Sequence, residues 1–212
     1  MKKRILCFGD SNTWGYDGQT GRRFGEDVRW TGALQNLLGP EYTVIEEGQN
    51  GRTTVFADPV EGSKSGQAYL EPCLESANPL ALVVLMLGTN DTKDRFGCNA
   101  HQISQSIKRL GEMILRRDYA PYDAPELLLV SPIEIDGAIL AENDDQNFSQ
   151  ASAERAADFS DYFAERAREL GSHFLDAAAY ASPGLADGVH LDAQNHAKLA
   201  EALYTKILDI LE

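Results

Sequence analysis

Five short apolar runs punctuate this chain: Arg4–Phe8, Tyr42–Glu46, Leu80–Leu87, Leu127–Val130 and His173–Leu175. Runs of this length read as strands, and Leu80–Leu87 is apolar at every position, the pattern of a strand covered on both faces. Between the runs, apolar residues return at helical spacing. Ile103, Ile107, Leu110 and Ile114 form one stripe, Phe159, Phe163, Ala167 and Leu170 a second, and Leu199, Leu203, Ile207 and Ile210 a third. Trp30, Ala33, Leu34, Leu37 and Leu38 predict another helix, stopped by Gly39-Pro40. No repeat, low-complexity tract or linker interrupts this alternation. It predicts one domain over residues 1–212, a doubly wound parallel sheet with helices on both sides. Ligands of such sheets bind beyond the carboxyl ends of the strands, so chemistry is expected in the turns that follow each run.

Two stretches break the pattern. Arg52–Gln67, rich in Gly, Asp and Ser, and Glu134–Asn147 both read as long ordered loops, of the kind that wall or cover a site.

Composition narrows the class. With 212 residues, 43% hydrophobic and 25% charged, the chain can bury a core without a disulfide or a structural metal. Its three cysteines, Cys7, Cys73 and Cys98, are odd in number and lack C-x-x-C spacing, which fits a reducing compartment; Cys7 is expected in the core. Met1-Lys2-Lys3-Arg4 is followed only by Ile5–Phe8 before Asp10, too short for the apolar stretch of a signal peptide. Leu80–Leu87 likewise falls well short of the roughly 20 apolar residues of a membrane span. A cytoplasmic location is expected. Nineteen Lys and Arg against 33 Asp and Glu give a net charge of −14. Nucleic acid and acidic membranes need clustered cations, so neither is expected as a partner, and a small neutral molecule is.

The common cofactor signatures are missing. No two glycines stand two apart, which rules out G-x-G-x-x-G, and no Gly-Lys dipeptide exists for a phosphate-binding loop. H-E-x-x-H and the G-x-S-x-G elbow are absent too, and no metal or other cofactor is expected. The first strand runs instead into Gly9-Asp10-Ser11-Asn12-Thr13, which presents a serine at the sheet edge. By itself Ser11 could be only a helix N-cap. A serine hydroxyl needs a base, however, and Asp187-Gly188-Val189-His190 lies before the last helix. Imidazole, with a pKa near ~6.5, suits proton transfer. A carboxylate three residues earlier can reach back to orient it. The second and third runs deliver Gly48-Gln49-Asn50-Gly51 and Gly88-Thr89-Asn90-Asp91, which offer backbone N–H groups and an Asn amide for a developing oxyanion. Each of these features alone is more ordinarily a turn; four at the ends of separate elements of one sheet make a constellation. His101, His173 and His196 are expected to be surface or packing residues.

These blocks, in this order, resemble the SGNH (GDSL-type) hydrolases over nearly the whole chain. ILCFGDS, DVRWTG, VIEEG, RTT and MLGTNDTK are similar to the arylesterase and acyltransferase branch. The resemblance implies a three-layer α/β/α sandwich around a five-stranded parallel, flavodoxin-like sheet. It implies Ser11 as nucleophile, His190 as base and acid, and Asp187 as the orienting carboxylate. The oxyanion hole would comprise the Ser11 and Gly51 backbone N–H groups and the Asn90 side chain, Gly51 being favoured by position over Gly48. Asn12 stands where Leu gives GDSL its name, and Arg52 where Asp is common in the wider family. Asn12, Trp14 and Tyr16 are candidates for the acyl or alcohol pocket. Hydrolysis of small aryl or short-chain acyl esters is expected, with acyl transfer to alcohols possible chemistry for the branch, and a homo-oligomer is implied. The competing expectations are a carbohydrate acetylesterase and, in another class, a non-catalytic binding module. A serine-directed phosphonate would leave such a module unlabelled.

Overall fold

The computed structural model describes residues 2–212. Five strands, β1 (Lys3–Gly9), β2 (Tyr42–Gly48), β3 (Leu82–Met86), β4 (Glu126–Ser131) and β5 (His173–Asp176), form one sheet in the order β2-β1-β3-β4-β5. All four pairings are parallel. The expected five-stranded, flavodoxin-like sheet is therefore present. From β1 the chain first steps outward to β2 and then returns to β3 on the other side of β1. That reversal leaves a crevice at the carboxyl ends of β1 and β3.

Among the described residues eight α-helices surround the sheet: α1 (Ser11–Trp14), α2 (Trp30–Leu38), α3 (Gly66–Ala77), α4 (Ala100–Arg116), α5 (Gly137–Glu142), α6 (Gln150–Ala157), α7 (Phe159–Leu170) and α8 (Ala193–Leu211). The pleat of the strands decides which helix packs where. Leu6, Phe8, Val83, Leu85, Leu127 and Leu129 face α3, α4 and α7 through Leu70, Ile107 and Phe163. The alternate residues Ile5, Cys7, Leu82, Val84, Leu128 and Val130 face α2 and α8 through Trp30, Leu34 and Leu203. Each such side chain contributes about 1.5–3 kcal/mol by leaving water, so the two apolar layers hold the sheet between them. Cys7, Cys73 and Cys98 are free thiols inside these layers.

The four helices read from periodicity are α2, α4, α7 and α8, and Gly39 closes α2 as expected. α4 is started by a capping box, in which Asn99 accepts from the Gln102 N–H and Gln102 accepts from the Asn99 N–H. Elsewhere the structure is more helical than the pattern. α3 buries Leu70, Cys73, Leu74 and Ala77 at helical spacing, although Pro72 interrupts its N–H ladder. The Glu134–Asn147 loop contains α5, a helix too short to show a period, capped by Asp136 through the Ala138 and Ile139 N–H groups. Among the described residues no helix is long and apolar enough to cross a membrane.

Candidate active site

β1 ends at Gly9, and Asp10 caps the single-turn helix α1 by accepting the Asn12 N–H at 3.0 Å. Ser11 is the first residue of that helix, a position whose backbone N–H finds no partner within the helix. α1 lies against the end of β2, where a Cβ on Gly48 would stand 2.1 Å from the Trp14 nitrogen. Glycine at 48 thus allows the close approach of α1.

The turn after β2 is stapled to the turn after β1. Gln49 N–H and the Arg52 guanidinium both donate to the Gly9 carbonyl, at 3.2 and 2.8 Å. Gly51 sits in this turn with φ +77°, a left-handed conformation that glycine adopts without strain. Beyond β3, the short 3₁₀ turn Thr89–Thr92 carries Asn90, whose amide donates to the Arg52 carbonyl at 3.1 Å. One N–H of the amide is fixed in this way, and among the described residues the second has no acceptor.

The fourth segment comes from 179 residues away in sequence. In Asp187-Gly188-Val189-His190, Asp187 Oδ1 accepts the N–H groups of Val189 and His190, both at 2.9 Å. The same carboxylate reaches His190 Nδ1 with Oδ2 at 2.7 Å, and His190 Nε2 lies 2.8 Å from Ser11 Oγ. Serine, imidazole and carboxylate form one hydrogen-bonded line. A spacing of three residues lets the carboxylate close its own turn and hold the ring at once.

Residues 7–198 match a family described as GDSL-like lipase/acylhydrolase. The chain belongs to that family. Membership places it among the carboxylic ester hydrolases. The aryl esterase of M. smegmatis superposes with a TM-score of 0.90 at 34% identity, covering 99% of this chain and 100% of that one. Est24, a carbohydrate acetylesterase from Sinorhizobium meliloti, gives 0.90 at 32% identity with coverages of 99% and 100%. A lipolytic G-D-S-L family protein from Veillonella parvula, at 16% identity, TM-score 0.66 and 94% of each chain, shares the fold. No curated protein sequence matches at a significant level.

Within this GDSL-like hydrolase the electrostatics follow from burial and partners. Burial pushes the Asp187 carboxyl upward, but the hydrogen bond and charge of His190, with the two backbone N–H groups, outweigh it and hold Asp187 below the usual carboxylate range. An ionised carboxylate only accepts, so Nδ1 carries the ring proton and Nε2 offers its lone pair to Ser11. Asp10 and Asp91, by contrast, are wholly buried. Desolvation raises Asp10 to about 6 and Asp91 to about 7, against the lowering effect of their donors Asn12 and Thr54. Asp91 takes both the Thr54 N–H and the Thr54 hydroxyl, tying the β3 turn to the long loop after β2.

That loop, expected to be ordered, is pinned by charge. Arg95 pairs with Asp58 at 2.8 Å and also with Glu61, and Lys93 Nζ lies 2.5 Å from Glu61. Arg95 also donates to Asn147 at 2.9 Å, so the two long loops share one cation. Burial opposes ionisation of Asp58, yet the Glu61 and Val60 N–H groups and Arg95 bring it down to about 2. Nothing in the sequence singled out Arg95 or Glu61, and Lys93 only closed the MLGTNDTK block without an assigned role; their common neighbourhood, created by the fold, reveals them.

The pocket candidates separate. The Tyr16 ring lies 4.4 Å from the imidazole, centre to centre, and Trp14 meets Tyr16 at a tilt, 6.5 Å between centroids, and lies under the Arg23 guanidinium. Asn12 is 3% exposed, and both ends of its amide are engaged by backbone, which differs from a residue lining an acyl pocket. A cavity of about 310 Å³ lies against Asp187 and His190, lined also by Gly18, Phe24 and Leu191. A larger one, about 900 Å³, is lined by Gln49, Arg52, Lys64 and Tyr69 and touches neither Ser11 nor His190. Among the described residues no three His, Cys, Asp or Glu side chains are grouped to hold a metal.

Proposed function

We propose that this protein is a serine esterase of small carboxylic esters, aryl or short-chain acyl and above all acetyl, with Ser11 as nucleophile, His190 as base and acid, and Asp187 as the orienting carboxylate. The observation that carries the proposal is the unbroken line from Ser11 Oγ through His190 to Asp187, with contacts of 2.8 and 2.7 Å.

In the first step Ser11 Oγ attacks the ester carbonyl as its proton passes to His190 Nε2. The carbonyl oxygen becomes an anion held by the Ser11 and Gly51 N–H groups and by Asn90. Collapse of this intermediate breaks the bond to the alcohol, which leaves with the proton from His190. Water, activated by His190 in turn, releases the acid and restores Ser11. An alcohol in place of water gives a new ester, the acyl-transfer branch of the same chemistry. The positive charge that His190 acquires meets the ionised Asp187, which stabilises both steps. Hydrolysis of p-nitrophenyl acetate tests the assignment: Ser11→Ala is expected to lose turnover to within background, and wild-type turnover by that variant would refute it.

A second substrate class has its own support. The likeness to Est24 favours acetylated sugars as much as the likeness to the aryl esterase favours aryl acetates. Comparing kcat/KM on the two substrate sets decides between them, and analysing products with added alcohol measures transfer. We also propose that residues 1–212 work as one SGNH-type domain in the cytoplasm and assemble as a homo-oligomer, the last resting on the family resemblance alone. Sedimentation at micromolar protein would show a monomer if this is wrong.

A further inference from the structure

We propose that Asn12 is a positioning residue that sets His190 in register with Ser11. The inference rests on the Ser11–His190 assignment above.

The Asn12 side chain takes hold of the backbone on both sides of the imidazole. Its Nδ2 donates to the Val189 carbonyl at 3.3 Å, and its Oδ1 accepts the Leu191 N–H at 2.9 Å, 177 and 179 residues away in sequence. A planar amide thereby mimics a neighbouring strand, pairing with the C=O before His190 and the N–H after it. The groups of His190 itself are used by other partners: its N–H goes to Asp187 Oδ1 at 2.9 Å and its carbonyl accepts from Gly184 at 2.7 Å. The loop is gripped from two sides, once by Asp187 and Gly184 and once by Asn12.

Ser11 and Asn12 are consecutive residues of α1, and α1 is fixed by the Asp10 cap. Thus the nucleophile and the clamp move together, and the 2.8 Å contact between Oγ and Nε2 is inherited from a backbone pairing beside it. Replacing the amide by an apolar group would leave a buried C=O and a buried N–H without partners, and the loop would shift to satisfy them. Displacement of a catalytic base by about 1 Å is enough to slow chemistry by ~10²-fold.

The test uses the full-length protein with p-nitrophenyl acetate and two variants. Asn12→Leu is expected to lower kcat ~10–100-fold while KM changes less than ~3-fold, the signature of misplaced catalytic groups rather than a lost pocket. Asn12→Asp adds a readout that packing alone would not move. A protonated carboxyl has the shape and both hydrogen-bonding capacities of the amide, whereas a carboxylate would face the Val189 carbonyl with an oxygen. The site lies among Met86, Ile133, Leu191 and Leu199, with Asp10 on its own turn and Asp187, His190 and Asp192 along the clamped loop as the titratable neighbours. Burial there favours the neutral acid. Dividing by the wild-type profile cancels the titrations common to both proteins. The ratio of Asn12→Asp to wild-type kcat is then expected to fall several-fold as pH rises from about 5.5 to about 8.5. A flat ratio, or an Asn12→Leu effect confined to KM or absent, overturns the proposal. If Asn12→Leu does not fold, the ratio alone decides. Turnover by Ser11→Ala, measured alongside, would instead bring down the esterase assignment itself.

Discussion

His190 and His196 stand six residues apart, one in the turn before α8 and one inside that helix. His190 keeps 15% of its side chain exposed and has both ring nitrogens engaged, one by a carboxylate and one by a serine. His196 is fully buried, edge-on to Phe24. Its Nδ1 accepts the Trp30 N–H at 3.2 Å and its Nε2 has no partner among the described residues. Trp30 opens α2, and Arg29 before it supplies no side-chain cap, so His196 closes that helix end from the neighbouring helix. Burial pushes its pKa down to about 4. The same imidazole is the proposed proton carrier where an anion and a hydroxyl flank it, and a helix cap where burial beside Phe24 and Trp30 disfavours its charge.

The comparison breaks most sharply at His190, the proposed proton carrier. His190→Gln is expected to reduce kcat/KM for p-nitrophenyl acetate by ~10⁴-fold or more, while urea denaturation shifts by less than about 1 kcal/mol. Asp187→Asn follows closely, with a loss of ~10⁴-fold, because an amide can donate to Nδ1 and stabilise the wrong tautomer. Asp187 is held below the usual carboxylate range, so its contribution is complete above the ordinary carboxylate pKa and disappears only as pH falls through the lowered value.

Next in size is the proposed oxyanion hole. Asn90→Ala is expected to lower kcat by ~10²–10³-fold with little change in KM, read from steady-state kinetics. The remaining effect, at His196, leaves activity untouched and appears in stability alone. The unfolded chain takes up a proton near pH 6.5 that the folded chain refuses until about 4. Stability should therefore fall as pH drops through that window, by about 3 kcal/mol at ~1.4 kcal/mol per pKa unit. His196→Asn keeps an acceptor for Trp30 and cannot titrate. Denaturation midpoints measured from pH 7 to pH 4 should show a flatter slope, at undiminished activity per folded molecule.

What the sequence made legible follows from range. The strands and α2, α4, α7 and α8 are written in local periodicity, and the pairing of Asp187 with His190 in a three-residue spacing. Ser11, Gly51 and Asn90 could be marked because each lies in the turn after a strand, and the parallel sheet brings those turns together. His196, expected to be either a surface or a packing residue, is a packing one, three residues before Leu199 on the buried face of α8. The remainder depends on contacts that no local pattern encodes. Arg95 and Glu61 meet across 34 residues and carry no motif. Asn12 looked like a pocket residue because it adjoins the nucleophile, yet the fold turns its amide toward Val189 and Leu191. α3 was hidden by Pro72 and α5 by its brevity.

The most direct test of the central claim is active-site titration with a serine-directed phosphonate, with the adduct mapped by mass spectrometry. One equivalent per chain on Ser11 is expected, with labelling abolished in Ser11→Ala and slowed by orders of magnitude in His190→Gln. An adduct on another residue, or labelling of Ser11 at an unchanged rate without the imidazole, would contradict the assignment.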